Sequence, residues 1–129
     1  MGDFFLLLAI SFTFKLTGSL DFQSLFISLG YLSHCSAPEL GVFYVDVIGL
    51  FLFLAAMSKS AQAGLHVWLP DAMEGPTPVS AMIHAATMVT AGLYLLLRCS
   101  AIIVLSPQTL QLIFIVGFIT VLLTSFLGI

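Results

Sequence analysis

With 129 residues, 60% of them hydrophobic and 7% charged, the chain cannot clothe a soluble fold in polar groups, because soluble domains carry about 25% charged residues. Lipid is the natural solvent for such a composition. Three Lys and Arg against six Asp and Glu give a formal net charge of −3, which leaves no basic patch for nucleic acid or anionic lipid heads.

The first apolar run, Phe4 to Phe14, lacks the basic start and the small-residue cleavage site of a secretory leader, and Asp3 stands where a basic residue belongs. It is expected to be a retained membrane helix over residues 3–16, with Lys15 reaching to the interface. Thr17 to Glu39 mixes Gly, Ser, Asp and aromatics, and is expected to be part interfacial helix and part loop, with Asp21, His34 and Glu39 solvated. The second long segment covers residues 42–68 and should break near Ala63-Gly64, since Gly costs about 1 kcal/mol relative to Ala inside a helix. Glu74-Gly75-Pro76 forces a turn, Thr77 can cap the next helix over residues 78–97, and Pro78 suits its first position. Ser106-Pro107 separates that helix from a last one over residues 109–129. Helices of about 20 residues match a bilayer core of roughly 30 Å. The expected fold class is all-α: a single integral membrane helical bundle, residues 1–129, of about four transmembrane helices with one broken. Cys35 and Cys99 are too few for a disulfide framework or a metal site, and read as buried apolar packing.

Lys59 follows an uncharged run from Val47 to Met57 and would lie about 26 Å along a helix begun at Val42. An ammonium at that depth costs at least about 2.5–3.5 kcal/mol, so such a group normally faces protein or water and answers to its neighbours. The plainer reading is a lysine snorkelling at the end of a helix that stops near Gln62. Gln62 and His66 share the Lys59 face only if the helix continues. Backbone carbonyls freed at a break are tolerated only beside protein or a cavity, and broken helices next to ionisable residues recur in ion transporters. His84, with Ser80, Thr87 and Ala91 at helical spacing, makes a polar seam through an apolar helix. Imidazole suits a proton relay, because its ordinary pKa of about 6.5 lets it accept and donate near neutral pH. The plainer reading has a neutral His84 bonded to a carbonyl, with Ser80 and Thr87 bonded back to their own helix. Asp71 and Glu74 occupy the turn before that helix, where carboxylates commonly serve as solvated caps. Asp46 stands about 20 Å from Lys59 along the same helix and cannot be its direct partner. With no phosphate loop, dinucleotide fingerprint, Ser/His/Asp arrangement or cysteine cluster, no redox cofactor or metal is expected in this chain.

From Lys59 to Arg98 the chain reads KSAQAGLHVWLPDAMEGPTPVSAMIHAATMVTAGLYLLLR. This string closely resembles the antiporter-like chain-5 family of respiratory NADH:ubiquinone oxidoreductase, complex I. MGDFFLLLAISF and SLDFQSLF resemble the same family more loosely, so the likeness spans the chain. The resemblance implies a piece of an antiporter-like fold that pumps protons, driven by electron transfer from NADH to quinone in other subunits. It also implies that Lys59, on a broken helix, takes part in proton translocation and that His84 continues the path. His66, Asp71 and Glu74 match the family's connecting segment and, with Ser80 and Thr87 of the seam, are secondary candidates. NADH, flavin, iron–sulfur clusters and ubiquinone are expected in other subunits.

Chains of that family are several times longer and hold two inverted halves of five helices each. This one corresponds to the stretch from near the sixth helix to the end of the ninth, without the earlier helix whose glutamate pairs with the KSAQ lysine. The expectation is therefore a split subunit: companion chains complete the same antiporter-like domain, and other complex I membrane subunits and lipid surround it. AQAGLH followed by RCS favours the mitochondrial inner membrane over a plastid or bacterial one. One rival is the large subunit of multisubunit sodium/proton antiporters, which shares KSAQ and PTPVSA. Another is a structural spacer whose lysine only pairs with a neighbouring chain. A relay requires a hydrated seam between Lys59 and His84, whereas a spacer keeps them dry. Three cations are too few to fix the orientation in the membrane.

Overall fold

The computed structural model describes residues 1–34 and 38–128, and Cys35 lies outside them. Every regular element among the described residues is helical. Helix α1 (Gly2–Thr17) carries Asp3 in its first turn and Lys15 in its last, each at the end where the helix dipole favours its charge. It stops where Gly18 takes a left-handed φ of 74° and donates its N–H to the Phe14 carbonyl, a glycine C-cap. Helix α2 (Phe22–His34) follows at once. The stretch expected to be part interfacial helix and part loop is largely helical among its described residues, because Leu25 and Leu29, one turn apart, bury one face of it against the core. Asp21 precedes α2 and its carbonyl accepts the Leu25 N–H at 2.9 Å. His34 closes α2, and Glu39 lies inside α3 (Pro38–Lys59), so the loop expectation for both is corrected.

The second correction concerns the break. Helix α3 ends at Lys59, four residues before Ala63-Gly64. Its end is a Schellman turn: the Gln62 N–H reaches back to the Met57 carbonyl at 3.2 Å while Ala61 sits in the left-handed region at φ 51°. Glycine normally fills that position, so a search for the weakest helix former pointed three residues too far along. Gly64, at φ 97°, makes a second left-handed corner. Gln62 and His66 therefore do not extend the face of Lys59. Helix α4 (Trp68–Ala72) is one short turn.

Thr77 does not cap the next helix but begins it: α5 (Thr77–Val79) has Pro76 at its N-cap and Pro78 in its first turn. The chain then winds through a π-helix (Ser80–Thr87) into α6 (Met88–Arg98). A short unanticipated helix, α7 (Ser100–Val104), precedes the Ser106-Pro107 corner and α8 (Pro107–Leu127). Thr77–Arg98 and Pro107–Leu127 are each long and apolar enough to cross a membrane, and Gly2–Thr17 with Phe22–Tyr31, bent by 59°, makes a third candidate span. At 22 residues, α3 would extend about 33 Å.

Helix α3 is the centre on which the others pack. Its Val45, Ile48 and Leu52 join Ala9, Leu25, Leu29, Cys99 and Ile102 in one buried cluster. Helix α1 runs antiparallel to it: Gly2 abuts Ser58 at one end, and the Phe12 ring stacks on Phe51 at 5.7 Å further along. Helix α6 is also antiparallel and approaches so closely at Gly92 that an added Cβ would lie 2.5 Å from the Ala56 carbonyl oxygen. Helix α8 runs parallel, with Thr109 donating to the Asp46 carbonyl at 3.4 Å and Thr120 meeting Gln62 and Ala63 just past the end of α3.

Those contacts set the depth of the break. Thr120 stands 13 residues after Pro107 and 7 before Leu127, or about 20 Å and about 10 Å from the ends of α8. Val89, whose carbonyl accepts from Ser60 at 3.4 Å, stands 12 residues after Thr77 and 9 before Arg98, about 18 Å and about 14 Å from the ends of that span. Both helices long and apolar enough to cross a membrane therefore pass the break in their interiors, at the level where α3 stops at Lys59.

Candidate functional site

Lys59 is the last residue of α3, where the negative end of the helix dipole favours a cation. Its Nζ stands 4.0 Å from Asp3 Oδ1 on α1. Antiparallel packing of α1 on α3 creates this pair by bringing the acidic first turn of one helix to the basic last turn of the other. The two residues also border two cavities. One, of about 400 Å³, opens towards Leu65, Trp68 and Met88. The other, of about 180 Å³, lies against Ala91, Gly92 and Leu95 of α6. Lys59 is thus a wall shared by two spaces, one on the loop side and one among the helices. Chemically, an ammonium so placed can donate a hydrogen bond into either space.

The turn that ends α3 is tied down from two sides. The Trp68 indole N–H donates to the Ser58 carbonyl at 2.9 Å, satisfying one of the orphan carbonyls of a helix end. On the far side, Thr120 of α8 takes the Ala63 N–H at 3.4 Å.

His84 falls in the π-helix, and its Nδ1 is buried without a hydrogen-bond partner among the described residues. π-segments inside α-helices are frequent at functional positions. The bonding pattern also corrects the expected seam. With i→i+5 bonds each turn holds an extra residue, so Ser80, His84, Thr87 and Ala91 do not keep the single stripe of an α-helix. Thr87 donates to the Ile83 carbonyl at 2.9 Å, the back-bonded state of the plainer reading. Ser80 turns instead to the Met73 carbonyl at 3.5 Å. No hydrogen bond or ion pair joins Lys59 to His84 among the described residues.

The remaining candidates lie apart. His66 is exposed, and its Nδ1 accepts the Gly64 N–H at 3.3 Å. Asp71, in the first turn of α4, and Glu74, in the turn after it, are exposed. Among the described residues no three His, Cys, Asp or Glu side chains group closely enough to hold a metal ion. The residue that sequence reasoning passed over is Asp3. Its sequence signal is a carboxylate opening an apolar run, and the helix pairing that brings it to Lys59 is not written in local sequence.

Over residues 1–129 the chain matches the family described as NADH:quinone oxidoreductase/Mrp antiporter, TM. It is 50% identical over 129 residues, its whole length, to the protein named NAD(P)H-quinone oxidoreductase subunit 5, chloroplastic, of Phaseolus vulgaris. It is 49% identical over 128 residues to the protein of the same name from Populus trichocarpa. Over 128 residues, 99% of the chain, it is 50% identical to NADH-quinone oxidoreductase subunit L of Rickettsia felis. The chain spans 17% of the length of the two plant relatives and 20% of the bacterial one.

Proposed function

Because the chain belongs to the NADH:quinone oxidoreductase/Mrp antiporter transmembrane family, we propose that it is a proton-translocating membrane segment of an NADH:quinone oxidoreductase, coupling quinone reduction to proton pumping. The observation that supports this reading best is Lys59 at membrane depth, beside Asp3 and between two cavities. Lys59 is the protonatable switch. A carboxylate that approaches stabilises the ammonium and one that withdraws releases its proton, so movement of charge along the membrane arm loads and unloads the site. His84, in the π-segment, is the next station, reached through water or side chains. NADH, flavin, iron–sulfur clusters and ubiquinone belong to other subunits, so this chain contributes pumping and no redox step.

Its partners are the companion chains that complete the antiporter-like domain, neighbouring membrane subunits of the complex, and lipid. Membrane residence is common to the whole family. The relatives named above are chloroplastic or bacterial, which gives no support to the mitochondrial inner membrane expected from AQAGLH and RCS, and fractionation of the source cells decides between these membranes.

The test is NADH-driven proton uptake by vesicles that hold the assembled complex. Lys59→Ala should lower uptake severalfold while the amount of complex on a native gel stays unchanged. Wild-type pumping in Lys59→Ala would remove Lys59 from the proton path. The family description also includes Mrp antiporters. That reading is separated by requiring sodium-coupled proton exchange without NADH oxidation, whereas the oxidoreductase reading requires rotenone-sensitive NADH oxidation.

A further inference from the structure

The end of α3 is held in a conformation its sequence does not favour. Ala61 occupies the left-handed region at φ 51°, where a Cβ is crowded. Such residues persist only when their surroundings over-determine them. The Trp68–Ser58 hydrogen bond closes the loop around Ala61 from within the same stretch of chain. The restraint from across the bundle is Thr120.

Thr120 lies in the interior of α8, and its Oγ1 is 2.6 Å from the Val116 carbonyl oxygen, 3.1 Å from Gln62 Oε1 and 3.4 Å from the Ala63 nitrogen. A hydroxyl has one proton and two lone pairs. With the proton on Val116, the shortest of the three contacts, Oγ1 can accept the Ala63 N–H and one N–H of the Gln62 amide, once that amide is turned by 180°. The one proton and both lone pairs of Oγ1 are then used. A backbone N–H freed by a break at membrane depth must find such a partner, because no bulk water is there to serve it.

We infer that Thr120 is a positioning residue: its hydroxyl holds the α3 break against α8 and so fixes the point where α3 ends at Lys59. This rests on Lys59 being the proton carrier. Because α8 is a 21-residue helix, the contact gives the break a long reference element across the bundle. Without it, Ala61 relaxes towards right-handed backbone and Lys59 leaves the boundary between the two cavities.

The experiment uses the assembled complex in membrane vesicles and compares Thr120→Val, which keeps the shape and removes the hydroxyl, with Thr120→Ser, which restores it. Two quantities are read: amide hydrogen exchange over residues 60–65, and NADH-driven proton uptake as a function of pH. In Thr120→Val the exchange should quicken at least about tenfold, as for a segment losing its local protection, while proton uptake falls severalfold and its pH profile moves. Thr120→Ser should return both to the wild-type pattern. Adding Ala61→Gly to Thr120→Val should slow the exchange again, since glycine accepts the left-handed corner without strain. Gln62→Leu offers the same readouts through the other half of the contact if Thr120→Val fails to assemble. Unchanged exchange in Thr120→Val overturns the inference. Faster exchange with normal pumping overturns the positioning role if Lys59→Ala abolishes pumping. If Lys59→Ala also pumps normally, the Lys59 reading fails, and the faster exchange still upholds the grip of Thr120 on the break.

Discussion

Lys59 and Asp3 meet at 4.0 Å with side chains 47% and 86% exposed within this chain, so their attraction is that of an exposed ion pair. Asp3→Asn should therefore reduce proton uptake by roughly two- to fivefold at most, the equivalent of about 0.4–1 kcal/mol, the upper range for an exposed pair, and should add nothing to Lys59→Ala if the two act as one unit. Cys99 offers a separate check on packing. It is a free, buried thiol between α6 and α7, and burial pushes its pKa up, with Arg98 beside it pulling weakly the other way. At a given pH less thiolate is present than for an ordinary cysteine. In a Cys35→Ser background its alkylation should be slow near neutrality and still climbing from about pH 7 to about pH 9; a rate that levels off near neutral pH would mean the site is open and electropositive. Lys59 and His84 were legible as residues because charge and imidazole stand out against an apolar background. Asp3 was not, since its importance depends on a helix 56 residues away in the numbering.

Elements were legible where local chemistry decides them and not where tertiary contacts do. The apolar runs and the prolines at 78 and 107 gave the long helices, and Leu25 and Leu29 were equally visible but were outweighed by the polar residues around them. The break expected near Ala63-Gly64 comes earlier, close to the plainer reading of a helix that stops near Gln62, because the left-handed position goes to Ala61, which no propensity scale would choose; Trp68 and Thr120 hold it there. The π-segment is likewise invisible in sequence, since its residues would suit an α-helix. Close helix contact, by contrast, is a testable property of single glycines. At Gly92 an added Cβ would meet Ser60 Oγ and lie 2.5 Å from the Ala56 carbonyl oxygen, so α3 and α6 would have to part. Gly92→Ala is expected to cost about 1–3 kcal/mol through overpacking, seen as a lower melting temperature of the purified complex. Gly117→Ala in α8 meets nothing within 4 Å and should be neutral or stabilising by up to about 1 kcal/mol, the helix-propensity gain. Equal effects at the two positions would deny the close α3–α6 approach.

At the scale of the whole molecule, the packing directions sort the connections onto two ends of the helix bundle. Helix α1 leaves the level of the break and runs 16 residues to Thr17, about 24 Å away. Arg98 ends its span on that same far side, its guanidinium 4.7 Å from the Phe22 ring centroid at the start of α2, a cation–π contact that joins the two corners. The Ser106-Pro107 corner follows only after the short α7, and α8 then returns towards the break and passes it. Asp21 and Gln108 therefore belong to one face, and Glu74 and Ser125 to the other. Two of the three cations, Lys15 and Arg98, share the Asp21 face while Lys59 stays at depth, a distribution the linear sequence could not disclose because it depends on which helices are antiparallel. The measurement is labelling by a membrane-impermeant maleimide, in vesicles of both orientations, of a background with Cys35→Ser and Cys99→Ala. Asp21→Cys and Gln108→Cys should react in one vesicle orientation, and Glu74→Cys and Ser125→Cys in the other. Labelling of Asp21→Cys and Glu74→Cys from the same side would mean that α3 and the chain after its break do not together cross, and Lys59 would then lie at an interface, where a lysine needs no proton path to explain it.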